Sequence, residues 1–291
     1  MDWLTLTLLS AFSLASVDAA TKAWLQGFSA RELTLVRLGG AALLLSPLLA
    51  DLPPLGTLPL PFWGWLAVLV PLELAAMLLY MRAIRDHPLS LTLPYLAFTP
   101  VFAIAVAWLL LGEGVSLRGA SGILFVVAGA WLLNSERARR ADWRSWADPF
   151  GAILRESGSR LMLAVAAIYS LTSTLGKGAM SYMAPEDFGA FYFAVLGIGV
   201  TLLFALPSPG SLLKIARRPL AVLTVGVLMA VMAYTHFLAL QQVEVAYMIA
   251  VKRTSLLFGI LYGALLFKEA GLMRRLPAGA LMVAGVALIL L

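Results

Sequence analysis

Of the 291 residues, 62% are apolar and 12% charged, whereas a soluble domain carries roughly a quarter charged residues to clothe its surface; a water-soluble fold is excluded. The formal charge of +6 sits in short Lys and Arg clusters between apolar runs, which is a topology signal and not a nucleic-acid face, so no nucleic-acid partner is expected. With no Cys and only two His, thiol, disulfide and Cys-based zinc chemistry are absent, and neither a metal, a cofactor nor a catalytic residue is expected.

Spanning the hydrocarbon takes about 20 apolar residues per helix. Runs of that kind fall at about 3–24, 31–50, 61–83, 90–111, 116–133, 160–181, 187–206, 219–240, 245–267 and 275–291. The expected fold is therefore all-α and integral to a membrane, with ten transmembrane helices. The opening Met-Asp-Trp lacks a basic leader region and reads as the start of an uncleaved first helix. On that helix Asp18 and Lys22 are four apart and can neutralise each other as structural charges. Glu73 falls near the middle of the third span, where it is either a proton-coupling group, a counter-ion for a buried cation, or a neutral acid held by a neighbour.

Residues 135–159 carry Arg137, Arg139, Arg140, Arg144 and Arg155 and read as a basic linker between two halves, 1–134 and 160–291. Lys and Arg collect in the odd-numbered connections, which places the central loop in the cytoplasm and both termini outside. Trp3, Trp24, Trp63, Trp65, Trp143 and Trp146 lie near span ends, as interfacial belts predict.

In the sixth span Tyr169, Ser173 and Lys177 recur every four residues and share one face, a candidate cavity wall; Lys177 reaching the headgroups is the alternative. His236 sits well inside the eighth span, as a substrate contact or a satisfied buried His. Tyr95, Tyr192, Tyr247 and Tyr262 are further candidate cavity aromatics. The ninth span holds Lys252 and Arg253 about 10 Å below the interface at 1.5 Å rise per residue. Placing such charges in hydrocarbon costs at least about 2.5–3.5 kcal/mol each. They therefore face a watery cavity or an anionic partner, and a guanidinium fork beside an ammonium suits phosphate or carboxylate. The competing reading has Lys252 snorkelling and Arg253 bracing the helix against an internal acid.

An internal repeat organises these features. Sliding Met77–Leu133 by 156 positions (233 − 77) lays it on Ala233–Ile289 without a gap, superposing Ile104 on Ile260, Glu113 on Glu269, Arg118 on Arg274 and Val127-Ala128-Gly129 on Val283-Ala284-Gly285. Glu113 and Glu269 close the fourth and ninth spans and read as structural charges of the following hairpins. Five spans per repeat is an odd number, so the second half enters the membrane inverted, and cargo should bind near the midplane between halves.

The stretch Leu93-Pro94-Tyr95-Leu96-Ala97-Phe98-Thr99-Pro100 running into Gly112-Glu113, then Gly122 and Val127-Ala128-Gly129, with Lys268-Glu269, Gly279 and Val283-Ala284-Gly285 in the second half, resembles the drug/metabolite transporter superfamily, specifically EamA-type proteins. That resemblance implies ten helices in two inverted repeats and transport of amino acids, drugs, other metabolites or phosphorylated sugars. Ala250-Val251-Lys252-Arg253 is also similar to the ninth helix of triose-phosphate translocators, where a Lys-Arg pair holds the substrate phosphate. The resulting expectation is a secondary transporter in the cell (inner or plasma) membrane for a small anionic or zwitterionic metabolite, phosphorylated cargo included. No phosphate-loop string occurs in the chain, so coupling is assigned to a proton or a counter-substrate. An exporter of neutral amino acids or hydrophobic drugs is the alternative. An intramembrane enzyme lacks a nucleophile with its base, and a non-transporting subunit leaves Lys252 and Arg253 without a role.

Overall fold

The computed structural model describes residues 1–87, 95–134, 156–266 and 272–291, and no strand occurs among them. In hydrocarbon every backbone N–H and C=O must be paired within the chain, which leaves the helix as the form such apolar runs adopt. The spans are α1 (Trp3–Trp24), α2 (Ala30–Ala50), α3 (Leu60–Asp86), α4 (Thr99–Leu111), α5 (Leu117–Asn134), α6 (Ser157–Ala179), α7 (Pro185–Ala205), α8 (Pro219–Gln242), α9 in two pieces (Val245–Lys252 and Ser255–Leu266) and α10 (Leu272–Leu290). Six of them, α1, α2, α3, α6, α7 and α8, are each long and apolar enough to cross a bilayer. Residues 135–155 of the basic linker and Glu269 lie outside the described residues, and α6 takes up the linker's last three positions, 157–159.

Helix starts follow their local chemistry. The Asp2 carboxylate accepts the Thr5 amide at 2.7 Å and caps α1. Ser29 and Glu32 form a reciprocal capping box at the head of α2. Pro185 opens α7, with Glu186 and Asp187 in its first turn. The polarity of the molecule is turned outward: Leu60, Leu117 and Leu220 are 83%, 88% and 79% exposed while Arg37, Thr34 and Ser10 are buried. That distribution suits acyl chains outside and a polar interior.

The internal repeat is visible as packing. α1 lies along α8 and α3 along α6, two pairs that exchange when the halves are swapped, whereas α5·α10 and α2·α7 map onto themselves. A Cβ on Gly122 would stand 2.7 Å from the Gly285 carbonyl oxygen, and one on Gly129 would stand 2.7 Å from that of Ala278. Both contacts are backbone against backbone, so only glycine permits the approach. The partner number falls as the residue number rises, so α5 and α10 run antiparallel. Adding 156 to Gly122 and Gly129 returns 278 and 285, so the two contacts are one another's repeat copies. A two-fold that exchanges antiparallel helices is perpendicular to them, which places it in the bilayer plane.

The ninth span departs from the expected continuous helix over 245–267. Its first piece ends at Lys252, a turn follows at Arg253 and Thr254, and the second piece starts at Ser255. The fourth span breaks in the same register, with a turn at Ala97 and Phe98 before α4. Two tightened backbone bonds and the α-helical bond that follows repeat at the 156 offset: Phe98 N–H to Tyr95 and Thr254 N–H to Val251, Val101 to Phe98 and Leu257 to Thr254, then Phe102 to Phe98 and Phe258 to Thr254. Pro100 has no N–H to give and accounts for the first break. Its repeat position is Leu256, so the second break has no sequence-local cause. Broken helices at matched positions of inverted halves are how transporters build a midplane site.

Candidate functional site

Between the halves lies a cavity of about 110 Å³, walled by Leu14 of α1, Arg37 of α2, Glu73, Met77 and Tyr80 of α3, Leu96 at the break before α4, Tyr169, Thr172 and Ser173 of α6, Tyr192 and Phe193 of α7, Met229, Met232 and His236 of α8, and Ile249, Lys252 and Arg253 at the α9 break. Leu96 and Lys252 are repeat counterparts (96 + 156 = 252), so the two breaks meet across this space. Of the residues singled out from sequence, it gathers Glu73, Tyr169, Ser173, Tyr192, His236, Lys252 and Arg253.

Lys252 is buried, and its ammonium points inward, donating to His236 Nδ1 at 3.0 Å and lying 3.2 Å from Met232 Sδ. It does not snorkel. Arg253 is also buried, and its Nε has no hydrogen-bond partner. No carboxylate among the described residues comes within ion-pairing distance of either cation. Glu73 faces the same space from α3, beside the hydroxyls of Thr172 and Tyr192. Phe188 stacks on Tyr192 and Phe237 stands edge-on to both, which stiffens that wall.

Arg37, which the sequence reading did not single out, lies in a wide π turn of α2 (Leu35–Gly39) and is 1% exposed. It donates to Asp18 Oδ1 at 2.7 Å and to Thr21 Oγ1 at 3.1 Å, and Tyr80 donates to Asp18 Oδ2 at 2.9 Å. The Asp18 carboxylate is thus shared by α2 and α3 in addition to any help from Lys22 on its own helix. An arginine seven residues into an apolar span was the available signal, since buried guanidinium always needs a partner.

Three expected site residues are turned elsewhere. Lys177 forms an ion pair with Glu113 and donates to the Val243 carbonyl at 2.7 Å, while the other Glu113 oxygen takes the Val245 amide at 2.8 Å. This ties α6 and the α4–α5 corner to the start of α9, leaving Tyr169 and Ser173 on the cavity and Lys177 beyond it. Tyr247 accepts the Ser116 amide at 2.9 Å, and its ring fills the space over Gly119 where a Cβ would clash. Tyr95 stands edge-on to Trp131 at 5.6 Å.

Comparison with known proteins adds the family. The EamA-like transporter family matches this chain twice, over residues 1–135 and 156–291. The chain belongs to the EamA-like transporter family. It is a multi-pass membrane protein of a transporter family, similar over 72 residues, at 34% identity, to the probable 4-amino-4-deoxy-L-arabinose-phosphoundecaprenol flippase subunit ArnE of Enterobacter sp. (strain 638); that stretch is 25% of this chain and 67% of the relative. The ArnE subunit of Erwinia tasmaniensis is 33% identical over 75 residues, 26% of this chain and 69% of that protein. A protein solved as a crystal structure superposes with a TM-score of 0.70 at 16% identity, covering 98% of this chain and 94% of the other, and shares the EamA fold.

Proposed function

We propose that this EamA-family transporter carries a small bipolar or anionic metabolite, held at the midplane by Lys252 and Arg253 and exchanged across the membrane by rocking of the two inverted halves. The observation that carries the reading is two buried cations lining a shared cavity without an ion-pair partner among the described residues. With Arg37 neutralised by Asp18, the wall charges are Lys252 and Arg253 against Glu73. That excess favours a carboxylate or phosphate at the α9 break, and Glu73 with the faces of Tyr169 and Tyr192 suits an ammonium opposite. At about 110 Å³ the cavity admits the polar part of an amino-acid-sized cargo, whereas drug-sized ligands occupy about 300–1,000 Å³. This weighs against the hydrophobic-drug alternative.

Glu73 is our candidate for the group that trades a proton or a counter-substrate for cargo. We assign the chain to the cell (inner or plasma) membrane with the central linker cytoplasmic and both termini outside, on the distribution of Lys and Arg. The ArnE relatives are named for a lipid-linked amino sugar that bears phosphate, and the same cationic pair would take such a headgroup. The test is a thermal-shift screen of purified protein with amino acids, phosphorylated metabolites, polyprenyl phosphates and cationic drugs, followed by counterflow in proteoliposomes. A bipolar or anionic compound should stabilise the wild type and not Lys252→Ala or Arg253→Ala. Equal stabilisation of all three, or a response to cationic drugs alone, overturns the assignment.

A further inference from the structure

A second cavity, of about 410 Å³, adjoins the first. It is lined by Asp18, Thr21, Lys22 and Leu25 at the end of α1, Gln26, Gly27 and Phe28 of the first connection, Leu33 of α2, and Tyr80, Ile84, Arg85 and His87 at the end of α3. Tyr80 belongs to the walls of both spaces. Arg37 faces the central cavity and Asp18 the outer one, and their 2.7 Å ion pair runs between the two. Tyr80 hydroxyl to Asp18, Arg37 to Thr21, and the Arg37 guanidinium 5.8 Å from the Tyr80 ring centre complete the partition.

The opposite end of the bundle is held differently. There the Lys177–Glu113 ion pair, the Val243 carbonyl, the Val245 amide and the Tyr247–Ser116 bonds tie the α4–α5 corner, the end of α6 and the start of α9 together. That end is fastened across the halves through the α4–α5 corner; the hollow end carries ties of its own, Lys214 to Glu32 and to the Gly27 carbonyl at 2.8 Å each, yet a cavity enters it up to a wall one side chain thick. We infer that the outer cavity is the port through which cargo reaches the midplane site, and that Arg37, Asp18 and Tyr80 form the gate between them. The gate needs no helix to unfold: its members come from α1, α2 and α3 of one half, so sliding α1 against α2 and α3 opens it by separating Asp18 from Arg37 and Tyr80. A buried guanidinium cannot be left bare, which ties opening to a replacement anion. Arg37 faces the cargo cavity and has an Nε without a partner, so an anionic cargo group can supply it.

The inference rests on the central cavity being the cargo site, yet its test uses no cargo, so a wrong substrate class leaves the outcome intact. The natural chain contains no Cys, so a single introduced thiol reports alone. Gln26→Cys places it in the outer cavity and Ser173→Cys in the central one, each labelled in detergent with a charged methanethiosulfonate. Gln26→Cys should react quickly and Ser173→Cys slowly. Labelling rate follows the open fraction, so adding Tyr80→Ala or Asp18→Asn should speed Ser173→Cys roughly tenfold or more and leave Gln26→Cys unchanged. Asp18→Asn keeps the shape and removes only the charge, which covers the case in which Tyr80→Ala fails to fold. Equal labelling of the two sites without a gate substitution, or an unchanged Ser173→Cys rate in a gate variant that melts like the parent, overturns the proposal.

Discussion

The broken fourth and ninth spans are copies of one another in backbone and opposites in chemistry. Both carry the same pair of tightened hydrogen bonds at the break, followed by the same α-helical bond. At the turn one presents Leu96-Ala97-Phe98 and the other Lys252-Arg253-Thr254. Duplication therefore conserved the device that opens a helix, while divergence put the charge in one copy only. The gate shows the same split. Arg37, Asp18 and Tyr80 of the first half align with Phe193, Thr174 and His236 of the second, at the same offset of 156. In the proposed mechanism, symmetric shape supplies two equivalent ways for the halves to rock, and asymmetric side chains decide where cargo is held and which end opens by trading ions.

The largest test of this difference is the pair Lys252→Ala and Leu96→Ala. Removing a buried charge that meets an anion costs about 2–5 kcal/mol of binding, roughly 30-fold to several-thousand-fold, so Lys252→Ala should abolish the cargo-induced thermal shift. Leu96→Ala should lower stability by about 2–5 kcal/mol through its void while the cargo shift survives; equal loss of the shift in both would erase the distinction. The next concerns the symmetric contact. Gly129→Ala and Gly285→Ala, at repeat-equivalent positions, each drive a Cβ into the other helix's carbonyl, at 2.7 and 2.6 Å, and overpacking of that kind costs about 1–3 kcal/mol. The two variants should lose similar stability in denaturant unfolding, and a neutral result for either breaks the two-fold at its tightest point.

Smaller effects probe the fastened end. Glu113→Gln removes the charge that meets Lys177 and weakens the bond from the Val245 amide, worth about 1–3 kcal/mol for hydrogen bonds to a charged group. Lys177→Met should cost a similar amount, and the double variant less than the sum, as a double-mutant cycle would register. Cargo affinity should change little if Lys177 is a tie and not a ligand. The smallest effect is at the helix starts. α1 is capped by Asp2, whereas its repeat counterpart α6 begins at Glu156 without a side-chain cap bond. The Thr5 amide holds the Asp2 carboxyl below its ordinary range. A lowered carboxylate contributes stability above its unfolded pKa and loses it as pH falls through the folded one. Wild type should therefore show a slight extra acid sensitivity that Asp2→Asn lacks, measured as the change in melting temperature with pH.

Composition and periodicity were enough for the membrane, for most spans to within a few residues, and for the repeat, because lipid imposes one requirement on every spanning segment: about 20 apolar residues with all backbone groups paired. The same requirement exposed Glu73, Lys252 and Arg253, since a charge in an apolar run stands out in one dimension. It could not say which charges meet. Lys177 sits on the same stripe as Tyr169 and Ser173, yet Glu113 of the other half claims it. Asp18, read with its neighbour Lys22, is engaged by Arg37 and Tyr80 from 19 and 62 positions away. The break at Arg253 has no proline to announce it, and only the repeat, matched to Pro100 in the first half, carried that signal. What sequence determined on its own was what each segment must be in lipid, a local demand. The partition into a tie, the proposed gate and the proposed cargo pocket follows from packing, because ion pairs form between whichever buried groups the two halves bring within reach.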